Sequence, residues 1–144
     1  MTIEEAIRAY LLTRTAVTAL TTVIRADVLD QRDKPQTTAC IVISVDEENP
    51  CNTLDGSGGL VFAMISVASL CGNEAKARQL AKAVQKNGTD PGTGLDGCNV
   101  TTGDLPFDAQ REQTTAGYWP NEDGSPSGIF AVISKYTVSF YEAV

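Results

Sequence analysis

Residues 60–70, Leu-Val-Phe-Ala-Met-Ile-Ser-Val-Ala-Ser-Leu, form a nearly unbroken apolar run between Gly58-Gly59 and Gly72-Asn73. A strand buried on one face alternates apolar with polar residues, and this run does not. It is also far short of the roughly 20 apolar residues that cross a bilayer as a helix. The run therefore predicts an inner strand covered on both faces, around which the rest of the chain must build a sheet. With 144 residues, the chain is expected to form one domain.

The first helix carries its own start signal. Thr2-Ile3-Glu4-Glu5 fits a capping box, the Thr2 hydroxyl meeting the N–H of Glu5 and the Glu5 carboxylate reaching back. Ile3, Ile7, Tyr10, Leu11, Val17 and Leu20 recur at helical spacing, so residues 2–21 read as one amphipathic helix. Thr13, Thr15 and Thr18 weaken its outer half. Val23–Leu29 and Ala39–Asp46 read as strands, the latter with Ile41, Ile43 and Val45 on one face. Asp46–Gly59, acidic and then Gly-rich, reads as a connection too long for a tight hairpin.

Asn73 is a good N-cap for a second helix running to about Lys86, with Ala77, Leu80, Ala81 and Val84 on its buried side. Arg78, Lys82 and Lys86 recur every fourth residue as an outer basic stripe, and Glu74 is placed to pair with Arg78. Cys98–Leu105 and Phe107–Ala116 read as weaker strands, Gly117–Gly128 as a loop or hairpin tip, and Ile129–Tyr141 as a long closing strand. The fold class is α+β: a mainly antiparallel sheet with two helices packed on it, in the order α-β-β-β-α-β-β-β. A long loop or hairpin is expected at about 106–127.

Charge and composition narrow the function. Net charge is −7, which argues against general binding to nucleic acid or anionic membranes. Residues 73–88 alone are net basic, a patch suited to an acidic neighbour, another copy included. Histidine is absent, which removes the common nucleophile–imidazole pairs and imidazole metal ligands. Cys40, Cys51, Cys71 and Cys98 lack any zinc-type spacing and suit packed, reduced thiols. The side-by-side carboxylates of Asp46-Glu47-Glu48 read as a solvated turn. Gly56-Ser57-Gly58-Gly59 leads into a strand instead of a helix N-terminus, so it is no phosphate loop. Tyr118-Trp119-Pro120 sets two aromatics in a polar segment, a pattern suited to a partner contact.

Several of these stretches together resemble one family. IEEAIRAYLL at the N-terminus, NTLDGSGGL leading into VFAMISVASL, the helix opening NEAKARQLAKAV and the closing VSFYEA are similar to the tail-completion (tail-terminator) proteins of tailed bacteriophages. The most specific piece is Thr53-Leu54-Asp55-Gly56, then a strand, then Glu74-Ala75 at a helix start. The resemblance implies a structural virion subunit that needs no catalytic residue, cofactor or metal. It implies a self-assembled ring, commonly sixfold, which ends the tail tube and joins it to the neck. Tail tube protein and a neck or head-completion protein are then its partners, with no membrane and with DNA only passing through the lumen. The expected location is the tail–neck region of the virion, after assembly in the host cytoplasm. Residues expected at subunit or partner contacts are Asn52, Thr53, Leu54, Asp55, Gly56, Arg78, Lys82, Lys86, Tyr118 and Trp119. Two alternatives stand beside this reading: a head-completion or neck protein of the same machine, and a small cytosolic α+β ligand-binding module.

Overall fold

The computed structural model describes residues 2–29, 33–35, 37–53, 56–86, 94–100, 105–119 and 128–141, with backbone only at 51–53 and 56–58. The elements are α1 (Ile3–Leu12), α2 (Thr15–Thr18), β1 (Ile24–Ala26), β2 (Cys40–Thr53), β3 (Gly56–Cys71), α3 (Glu74–Gln85), β4 (Asn99–Val100), β5 (Phe107–Trp119) and β6 (Ile129–Tyr141). The strands form one curled sheet in the order β1-β2-β3-β6-β5-β4. All neighbours are antiparallel except β1 and β2, which run parallel. The sheet is therefore mainly antiparallel, as expected, and the parallel β1–β2 pair makes it mixed. The element order matches apart from the extra α2.

The capping box forms as expected: the Glu5 N–H donates to Thr2 Oγ1 at 3.3 Å and the Thr2 N–H to Glu5 Oε2 at 3.1 Å. The single helix over 2–21 does not. The Thr13 hydroxyl donates to the Tyr10 carbonyl at 2.6 Å, occupying the acceptor that the Arg14 N–H needs to continue the helix. Arg14 is instead extended, at φ −89° and ψ 116°, and α2 starts afresh. This is the competition between a threonine hydroxyl and the backbone that makes threonine a poor helix interior residue. β1 is shorter than Val23–Leu29 because Asp27 turns into the left-handed region at φ 66°.

The central strand lies where the apolar run predicts. β3 sits between β2 and β6, pairing from Cys40↔Leu70 to Thr53↔Gly56 on one side and from Cys71↔Phe130 to Leu60↔Tyr141 on the other. One face takes the helices: Ile3, Ile7 and Leu11 of α1, Val17 of α2, and Leu80 and Val84 of α3 pack on Ile41, Ile43, Val61, Ile65, Val67, Tyr136 and Val138. Each such side chain is worth about 1.5–3 kcal/mol on burial. The far face is covered at one end only, where Cys40, Leu70 and Ala131 are buried among Val23, Leu29, Val42, Ala68 and Ile129. Toward the other end Phe62 is 43% exposed. Double cover of the whole run is thus corrected to double cover of its last turns of strand.

The largest correction concerns Asp46–Gly59. It is no long connection, because β2 and β3 continue as one hairpin arm that remains paired to Thr53↔Gly56. Register shifts at Asp46 and at Cys51 let an acidic, proline-containing stretch stay in the ladder. Similarly, β5 runs to Trp119, so Tyr118 and Trp119 lie in a strand and not in a loop.

Candidate interaction surfaces

Among the described residues, no cluster of three or more His, Cys, Asp or Glu side chains is placed to hold a metal. No helix is long and apolar enough to cross a membrane. Cys40, Cys71 and Cys98 are free and buried. Burial pushes the Cys40 and Cys98 thiols up to about 11, so both stay protonated and unreactive near neutral pH. The phenol of Tyr136, enclosed by the core, is raised as well, again by desolvation. These groups are neutral packing elements. Among the described residues, three outer surfaces carry polar groups suited to contacts.

The first is the β2–β3 arm. β6 accompanies β3 up to Leu60↔Tyr141, so among the described residues the segment beyond Pro50↔Val61 pairs only β2 with β3, as a projection. Asn52 pairs with Ser57 and Thr53 with Gly56, while Leu54 and Asp55 fall outside the described residues. Asp46, Glu47 and Glu48 are exposed along the arm. Asp46 accepts from the Ser66 hydroxyl of β3, and Asn49 donates to Glu47 at 3.1 Å.

The second is the outer side of α3. Asn73 Oδ1 caps it, accepting from the Ala75 N–H at 2.9 Å. Arg78 binds Glu74 at 3.1 Å, both about half exposed, so this charge is already partnered. Lys82 and Lys86 are exposed. Among the described residues neither has an ion-pair partner, so of the basic stripe these two carry the unpaired charge.

The third is the α3–β5 corner, which residue patterns did not reveal. Gln85 of α3 donates to Ser134 at 3.1 Å and to Thr114 at 3.4 Å, and accepts from Arg111 at 2.6 Å. Arg111 also lies 3.8 Å from the Asp96 carboxylate. Farther along, Tyr118 stacks on Phe130 with ring centroids 4.6 Å apart. Gly128 packs against the Tyr118 ring with no space for a Cβ. An open cleft of about 240 Å³ lies between Glu74 and Arg78 on the helix and Ala116, Gly117 and Tyr118 on the strand. Trp119 is 50% exposed. The structure therefore brings Arg78 and Tyr118 to one cleft, while the Asn52–Gly56 arm belongs to the opposite end of the sheet. Long-range pairing of β5 with β6 creates the corner, and no local motif announces it.

The described residues present contact surfaces on a sheet-rich scaffold, which fits an assembly subunit as the class of protein. The comparisons with known proteins agree. The family model for tail completion protein gp17 matches residues 5–112, and the chain belongs to that family. A chain from the virion of a native gene transfer agent particle shares the fold, with a TM-score of 0.65 at 12% identity over 97% of this chain and 95% of that one. No match was found among curated proteins. Membership of that family makes the protein a structural tail protein of a phage, and the gene transfer agent chain shows the fold.

Proposed function

We propose that the protein is a tail terminator: a single domain whose copies close into a ring, commonly sixfold, that ends the tail tube and joins the tail to the neck. The family match over residues 5–112 carries this reading. The distribution of charge supports it. Among the described residues Lys82 and Lys86 on α3 have no ion-pair partner, and the exposed carboxylates Asp46, Glu47 and Glu48 lie on β2 at the base of the arm, beside Ala63 and Met64. One copy's helix facing the next copy's arm is a heterologous contact, the kind that closes rings. In this reading the arm, Asn52–Gly56 at its end, reaches a neighbouring subunit, and Arg78, Tyr118 and Trp119 face a second partner.

The test is the mass of the purified protein by light-scattering chromatography, alone and with its tail tube protein. A multi-copy ring, or capped tubes on mixing, is expected. A monomer that ignores tube protein overturns the proposal. Charge reversal at Lys82 and Lys86 together should lower the oligomer mass while the melting temperature stays put.

A further inference from the structure

The sheet has two outer strands that its short edge strands cover only in part, and the chain treats them differently. β1 covers β2 at Ile24↔Ile41 to Ala26↔Ile43 only. β4 covers β5 at Asn99↔Asp108 and Val100↔Phe107 only. Ala109 is also engaged, receiving a hydrogen bond from Gly97 at 2.8 Å and donating to Cys98 at 3.2 Å, and the Arg111 N–H donates to Asp96 at 3.0 Å. Beyond these points both strands expose main-chain edges.

On β2 the open edge is guarded. The Ile41 N–H points outward, donating to Val23 at 2.9 Å, so odd residues face outward before the bulge. The extra residue at Asp46 switches the alternation, and Glu48 and Pro50 then face outward. A bulge, carboxylates and a proline that lacks an N–H are the recognised ways of stopping a strand from pairing.

On β5 nothing of this kind follows Glu112. Odd residues through Arg111 face outward, the register shift between Arg111 and Gln113 switches the alternation, and Thr114, Ala116 and Tyr118 then present N–H and C=O to the outside. Gln113–Trp119 contains no charge and no proline, pairs with β6 without a further shift, and is exposed throughout. Among the described residues no hydrogen bond uses these outward main-chain groups. Above the edge lies α3, within the one net-basic segment of the chain, with the exposed Glu74–Arg78 pair at the cleft.

We propose that the β5 edge, Thr114 to Tyr118, is a strand-addition site for an extended, acidic segment of another virion protein. The added strand would complete the ladder through its main chain, as in other β-augmentation complexes. A carboxylate on one of its alternate residues would compete with Glu74 for Arg78, and one side chain would enter the cleft between α3 and Tyr118. The guarded β2 edge argues against a second copy as the occupant. With both edges open, copies would add head to tail without limit. The proposal goes beyond the ring reading and does not depend on the number of copies.

The experiment places a photo-cross-linking residue at Thr115, whose side chain points away from α3, in assembled particles, and identifies the adduct by mass spectrometry. Ala116→Pro is assembled in parallel. It removes one outward N–H and leaves the β5–β6 ladder intact, so the melting temperature should fall by no more than about 3 °C and the oligomer mass should match the parent. The expected result is an adduct to an acidic segment of a different virion protein, reduced about tenfold by Ala116→Pro, the effect of one lost intermolecular hydrogen bond. Adducts only to another copy of this chain, adducts to a non-acidic segment, or no adduct would each overturn it. So would an adduct indifferent to Ala116→Pro. A monomeric protein that still gives the expected adduct in particles would sink the ring reading and leave this one standing.

Discussion

The outer strands β2 and β5 pose the same physical problem at opposite borders of one sheet. Each is long, each is only partly covered, and each leaves main-chain donors and acceptors in solvent. On β2 the problem is answered three times over, by the bulge at Asp46, the carboxylates at 46–48 and Pro50. On β5 it is left unanswered from Gln113 to Trp119. A chain able to guard one edge so thoroughly has the means to guard the other. The difference marks β5 as the edge meant to be used.

Six variants test that contrast, from the largest expected effect down. Thr115→Pro removes an N–H that faces β6 and should cost about 3 kcal/mol or more, seen as a melting-temperature loss of about 10 °C. Ala116→Pro next to it should cost no more than about 3 °C. Equal losses would show that the inward and outward assignments along β5 are wrong. Pro50→Thr combined with Glu48→Thr strips the guards from β2. This pair should leave melting unchanged while light scattering reports growing oligomers, and a species distribution like the parent's would mean that these residues guard nothing. Tyr118→Ala loses the stack on Phe130 and should destabilise by about 1 kcal/mol in urea unfolding, with Trp119→Ala costing less because half of that side chain is already in solvent. Glu74→Gln breaks an exposed pair and should change stability by about 0.5 kcal/mol or less, vanishing in high salt. A larger effect would make the Arg78 pair part of the fold instead of a surface feature.

What could be read in the sequence divides along a physical line. Signals confined to neighbouring residues were legible: the Thr2–Glu5 box, the Asn73 cap, the buried stripe of α3 and the apolar run that became β3. Features that depend on pairing between distant residues were not. Asp46-Glu47-Glu48-Asn49-Pro50 has the composition of a turn, and only its ladder with Val61–Met64 makes it a strand. The two bulges also shift the alternation by which a strand is recognised. By composition Tyr118 and Trp119 group with the Gly/Pro-rich stretch that follows, yet Phe130 and Ile129 across the ladder hold them in β5. For the contact residues, the sequence showed which charges exist on α3. Only the structure shows that Arg78 is taken by Glu74 and that, among the described residues, the unpaired charges of the stripe are Lys82 and Lys86.

The seam between β3 and β6 has a consequence for how the chain reaches its native state. The β2–β3 and β5–β6 hairpins each join strands close in sequence, whereas the seam joins Cys71 to Phe130 and Leu60 to Tyr141. Loop closure makes such distant pairings slow, so the two hairpins should form early and dock late. During synthesis the β3 edge emerges long before its β6 partner exists, and α3, which packs across both strands, is the element in place to shelter it. Pulse-labelled hydrogen exchange should therefore protect the β2–β3 amides before those of the seam, and simultaneous protection of both would rule this order out.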